Sequence, residues 1–118
     1  MRILGVSKEW DKLKQPFFTT FRFPRKDKDW QVGEGVQIVL HPRSKNRKYL
    51  GIAEITNKEL LIISTIVYIS FCRHVTNDEA VADGFKDIYD MVAWFHKIYP
   101  QRSLEPMNKL TLKWRSRG

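Results

Sequence analysis

Thr20 and Arg22 stand two residues apart in the run Phe17-Phe18-Thr19-Thr20-Phe21-Arg22-Phe23. In an extended chain that spacing puts both side chains on one face. A hydroxyl beside a planar cationic fork suits a phosphate or the edge of a base, and the fork also stacks on rings. The plainer alternative is an Arg22 paired with Glu54 or another carboxylate, and a Thr20 that is an ordinary strand residue. Arg43-Ser44-Lys45-Asn46-Arg47-Lys48 holds four cations in six residues and no carboxylate. Arg43, Lys45, Arg47 and Lys48 can neutralise phosphates without reading sequence, or they can simply solvate a loop tip. Arg25 and Lys26 add to that charge. Phe18, Trp30 and Tyr49 are the candidate base-stacking rings, because single-stranded RNA is held on aromatic platforms beside cations. Trp30, just before the turn at Gly33-Glu34, is equally explained as a core anchor.

Glu79 is the acidic candidate. The run Thr76-Asn77-Asp78-Glu79 has the capping-box pattern, which already accounts for Glu79 and keeps it ionised: a poor acid, but an available base. His41, His74, His96 and the single Cys72 are too dispersed in the chain for a metal-binding pattern, and no phosphate loop, dinucleotide fingerprint or Ser-His-Asp arrangement occurs. No metal or cofactor is expected. Cys72 closes an apolar run and reads as buried.

The elements that must position these residues follow from periodicity. Ser7 to Lys14 has an N-cap residue and Trp10 and Leu13 on one face, which predicts a short helix stopped by Pro16. Alternation then predicts a strand with Phe17, Thr19, Phe21 and Phe23 facing inward and Phe18, Thr20 and Arg22 on the other side. Val36, Ile38 and Leu40 mark a second strand, and the basic segment from Arg43 a hairpin loop. Tyr49 to Ile55 reads as a third strand, Thr56-Asn57-Lys58 as a turn, and Glu59 to Cys72 as one long or two short β segments. A short helix is predicted over 77–83 with Gly84 in the left-handed position after it. Asp87 caps a second helix carrying Ile88, Met91, Val92, Phe95 and Ile98 at helical spacing up to Pro100. Leu110, Leu112 and Trp114 alternate with Lys109, Lys113 and Arg115 in a last strand with one core face and one basic face. Five or six strands with two or three helices gathered between them point to an α+β mixed barrel, not a doubly wound sheet.

One domain spanning residues 1–118 fits the length. Hydrophobic residues make up 42% of the chain, enough for a core and against disorder. The longest apolar stretch, Leu60 to Cys72, is shorter than the roughly 20 residues a membrane span needs, and no secretory leader is read at the start. With one cysteine, no internal disulfide can form, and a cytoplasmic location is expected. The net charge of +8 is segregated, with −3 over residues 49–83 and positive flanks. Such a face draws polyanions, so RNA or a nucleotide is the expected partner.

Four segments occur in a recognisable order: Phe17 to Arg22, Trp30 to Gly33, Gly51 to Ile55, and Asp78-Glu79-Ala80 leading to Ala82-Asp83-Gly84-Phe85. Over about residues 15 to 98 the chain resembles the ASCH domain family of the PUA-like superfamily. The resemblance implies a small barrel with a cleft, RNA-linked roles and, for a small subset, hydrolysis of the amide in acetylcytidine. The family signature is glycine, lysine, glutamate or threonine, then arginine, and it falls here on Gln15, Phe17, Thr20 and Arg22. Thr20 and Arg22 match. Phe17, in the lysine position, can neither transfer a proton nor hold an oxyanion. The resemblance therefore implies a binding module first, with Thr20 and Arg22 lining the cleft. Its alternative is an amidohydrolase using Thr20 as nucleophile, assisted by Glu79 or by Lys14 in place of the family lysine. A third reading is an interaction subunit docked on a larger ribonucleoprotein assembly.

Overall fold

The computed structural model describes residues 1–64, 72–102 and 105–117. In chain order the elements are β1 (Arg2–Val6), a 3-10 turn (Asp11–Lys14), β2 (Phe17–Arg22), β3 (Gly35–Leu40), β4 (Lys48–Ile62), β5 (Arg73–His74), α1 (Asn77–Ala82), α2 (Ile88–Ile98) and β6 (Met107–Arg117). The strands make one curled sheet, a half-barrel, in the order β1-β3-β4-β6-β2, with β5 paired to β4. The β1–β3 and β4–β5 pairs are parallel and the others antiparallel. The α+β class and mixed sheet agree with the expectation. Among the described residues no helix is long and apolar enough to cross a membrane.

The half-barrel turns on β4, which runs unbroken for 15 residues. Thr56-Asn57-Lys58 is therefore not a turn. Ile55 pairs with Leu112 and Asn57 with Thr111, so Thr56 is the extra residue of a β-bulge, and its hydroxyl donates to the Thr111 carbonyl at 3.2 Å. These residue types favour turns in isolation, but the ladder to β6 continues on both sides and absorbs them as a bend. Residues 65–71 of the expected β segment lie outside the described residues, and Cys72 is half-buried.

Each face of β2 meets a different core. Phe18 is 4% exposed and packs inside the half-barrel with Leu4, Val36, Ile38 and Leu112. Phe21 is 5% exposed and packs on the opposite side with Met91, Phe95 and Leu61. Phe17 is 50% exposed. The expected inward row of Phe17, Thr19, Phe21 and Phe23 is corrected accordingly: a strand sandwiched between barrel interior and helix buries alternate residues on both sides, and period-two patterning cannot tell which. Full burial of each such side chain contributes about 1.5–3 kcal/mol.

The helices form as their local signals dictate. Thr76 and Glu79 make the reciprocal capping box on α1, and the Asp87 carboxylate accepts from the Asp90 N–H at the start of α2. The expected helix over Ser7 to Lys14 shrinks to the 3-10 turn. Ser7 caps nothing, and Trp10 holds the N-cap position with no side-chain bond. Four residues before Pro16 are too few to repay helix nucleation.

Candidate functional site

A cleft of about 620 Å³ lies where the end of β1, the C-terminal half of β2, the start of the β3–β4 hairpin, the segment after α1 and the last turns of α2 converge. That size suits one small ligand. Its walls are largely aromatic, with Trp10, Phe85, Trp94 and Tyr99 among them, and its polar lining includes Lys12, Thr20, Arg22, Asp83 and Arg43.

The aromatic wall is set by Gly84. It follows α1 with φ +112°, the left-handed region glycine occupies without strain, and a Cβ there would lie 2.9 Å from the Trp10 ring. Trp10 thus presses on the backbone and meets Phe85 and Trp94 at ring-centroid distances of 5.5 and 6.3 Å. This packing pins the 3-10 turn and carries Lys12 inward.

Lys12 Nζ donates to Asp83 Oδ1 at 2.9 Å, and the two side chains are 8% and 6% exposed. The Thr19 hydroxyl donates to the same oxygen at 3.1 Å. Burial pulls the Lys12 amine below the ordinary lysine value, opposed by Asp83. Burial likewise raises the Asp83 carboxyl, opposed by Lys12 and Thr19. Both shifts run toward neutrality, as expected of charges taken out of water.

Among the described residues Arg22 forms no such ion pair. Its Nε donates to Thr20 Oγ1 at 3.2 Å, and burial is the largest influence on its guanidinium, lowering its pKa. Glu54, which the plainer alternative offered as one partner for Arg22, pairs instead with Arg115. Thr20 and Arg22 lie on one face of β2 and both line the cleft.

The other expected site residues divide. Arg43 lines the cleft together with Ser44 and His41, and His41 adopts φ 48°, the sole positive φ outside glycine among the described residues. Lys45 and Arg47 are exposed and do not line it, and Lys48 pairs with Glu9 at 3.1 Å. Only the root of the basic hairpin thus opens onto the same concavity as Arg22. Arg25 and Lys26 are exposed away from the cleft lining, with Arg25 at 3.8 Å from Asp27. Phe18 and Trp30, the latter 5% exposed beneath the Arg2 guanidinium, are core residues with no face open to a base, which corrects their stacking role. Tyr49 is 45% exposed but outside the cleft lining.

Thr20, Glu79 and Lys14 do not meet. Glu79 is held by Arg73 at 2.7 Å and Lys109 at 2.6 Å, which, with its capping bond, keeps its carboxyl far below the usual range. It is a structural hub outside the cleft lining. Lys14 is 79% exposed and pairs with Asp11. The lysine that enters the cleft is Lys12, and its acidic partner is Asp83. Asp83 lies inside the Ala82-Asp83-Gly84-Phe85 segment named above, and an acid directly before the glycine expected in the left-handed position was the signal available. Nothing in spacing distinguished Lys12 from Lys14.

No family model, no curated protein and no solved structure matches the chain.

Proposed function

We propose that the chain is a PUA-like module of the ASCH type that binds RNA or a nucleotide in this cleft and acts in the cytoplasm. The observation that carries the reading is the meeting of Arg22, Thr20 and Arg43 in one aromatic-walled concavity. The segment order, the half-barrel and the placement of Asp83-Gly84-Phe85 against the cleft support the ASCH-like assignment. Binding proceeds by electrostatic capture on the basic hairpin, followed by insertion of a base between the aromatic walls. Titration with short single-stranded RNA and a mixed tRNA pool at two salt concentrations tests it. Neutralising Arg43, Lys45, Arg47 and Lys48 together is expected to weaken every RNA and to flatten the salt dependence by up to about 3 log units per log unit of salt, since each phosphate contact on a single strand contributes roughly 0.7. Absence of binding to any RNA or nucleotide at low salt overturns the reading and favours an interaction subunit.

A second reading rests on Lys12. It supplies, from a different position, a lysine lining the same cleft as Thr20, and its proton affinity is reduced by burial. In an amidohydrolase the Thr20 hydroxyl would attack the acetyl carbonyl of acetylcytidine while Lys12 takes its proton. Cytidine would leave as its exocyclic nitrogen takes that proton from Lys12, and water would then release acetate from Thr20. Cytidine formation that is abolished by both Thr20→Ala and Lys12→Met selects this reading over simple binding.

A further inference from the structure

Four cations with largely enclosed side chains each hold a carboxylate: Arg2 with Glu34, Lys12 with Asp83, Lys58 with Asp29 and Lys109 with Glu79. Arg22 breaks this pattern. Burial dominates its titration, yet among the described residues it forms no ion pair, and its hydrogen bond to Thr20 uses only Nε. The terminal nitrogens keep four N–H donors. No buried side-chain polar atom among the described residues lacks a partner, so those nitrogens are reached by solvent through the cleft. Asp83, the carboxylate nearest in influence, is already engaged by Lys12 and Thr19. Lys12 and Asp83 pair with each other, which leaves the Arg22 guanidinium with no ion pair of its own among the described residues. Arg43 adds a second at its lining.

Guanidinium forks bind phosphate oxygens in pairs. A phosphodiester inside a strand brings one negative charge and chain on both sides. A phosphomonoester brings nearly two at neutral pH and ends the chain. Two arginines in a cleft sized for one small ligand match the second. We infer that the cleft takes the phosphorylated end of a nucleotide or RNA chain, its phosphomonoester on Arg22 and Arg43 and its base against Trp10, Trp94 and Tyr99. The inference rests on the nucleotide-binding reading and narrows it from strand to end.

Trp10 and Trp94 report binding by fluorescence. The intact protein is titrated with the common nucleosides, their 5′- and 3′-monophosphates and inorganic phosphate. It is then titrated with one RNA of about six nucleotides in three forms: terminally phosphorylated, ending in hydroxyls, and circular. Monophosphates and the phosphorylated end are expected to bind about tenfold more tightly than their unphosphorylated counterparts, and inorganic phosphate to compete with them. Arg22→Gln is expected to bring that ratio to about one, with Arg22→Lys retaining part of it. Arg43→Gln, at an exposed position that leaves folding intact, is expected to reduce the ratio about threefold and serves if Arg22→Gln fails to fold. Equal affinity for nucleoside and monophosphate, or a ratio unchanged in either glutamine variant, overturns the inference. RNA bound equally in all three forms overturns the inference alone and leaves the nucleotide reading standing. No binding of any nucleotide or RNA overturns both. Selectivity for free monophosphates without oligonucleotide binding upholds the inference, with the free nucleotide as the ligand.

Discussion

Replacing Asp83 by Asn preserves the shape of the side chain and removes the charge on which Lys12 depends. At 2.9 Å, an effective dielectric near 20 gives a gross attraction of about 6 kcal/mol. Desolvation of two side chains only 8% and 6% exposed offsets most of that, so the intact pair contributes little net stability. The large effect comes from breaking it. Asp83→Asn leaves an ammonium group enclosed with Arg22 acting on it from β2, and weakens the bond from Thr19. The expected loss is about 3–4 kcal/mol in urea unfolding at neutral pH. Its pH dependence is the diagnostic part. With Asp83 gone, the folded-state pKa of Lys12 falls further below its unfolded value, so the unfolded chain binds more protons and relative stability rises with pH. The deficit of Asp83→Asn is therefore expected to shrink between about pH 7 and pH 10. Lys12→Met does the reverse: the Asp83 carboxyl, already raised by burial, takes up a proton as pH falls, and that deficit shrinks toward acid. The double variant Lys12→Met with Asp83→Leu is expected to recover most of the loss. An Asp83→Asn cost under about 1 kcal/mol, or a deficit that does not move with pH, refutes the argument.

Gly84→Ala combines a left-handed backbone at φ +112° with a methyl 2.9 Å from the Trp10 ring. It is expected to cost about 2–4 kcal/mol and to weaken ligand binding as well, because Trp10 must leave the cleft wall. A thermal midpoint and affinity equal to wild type would contradict that packing. Asp29 is held at about 2: burial works to raise it, but hydrogen bonds from Lys58, the backbone N–H groups of Arg25 and Trp30, and Asn108 overcome this. The stabilisation is complete above the unfolded value of 3.8 and is lost as pH falls toward the folded one, with about 1–2 kcal/mol at stake after allowance for partial exposure. The stability gap between wild type and Asp29→Asn should close between about pH 5 and pH 2, and a gap that persists at the acid end disproves the assignment.

Those elements whose signals lie within one or two turns of chain were readable without coordinates. The capping box of Thr76 and Glu79, the left-handed Gly84, the Asp87 cap and the helical spacing from Ile88 to Ile98 all came out where expected, because capping and periodicity act over a few residues. The last strand was readable too, since Leu110 and Leu112 are its buried side. Thr20 and Arg22 could be placed together for the same reason, two residues apart on one strand. Tertiary structure decided the rest. No sequence signal marked β1, whose five residues find their partners in β3 more than thirty positions away. The bulge at Thr56 exists because β6 continues the ladder past it. The lack of an ion pair to Arg22 among the described residues and the contact between Lys12 and Asp83, 71 positions apart, are also properties of the packed chain. The energy that selects Lys12 over Lys14 is desolvation, and desolvation is set by what surrounds a side chain in space, which local sequence does not encode.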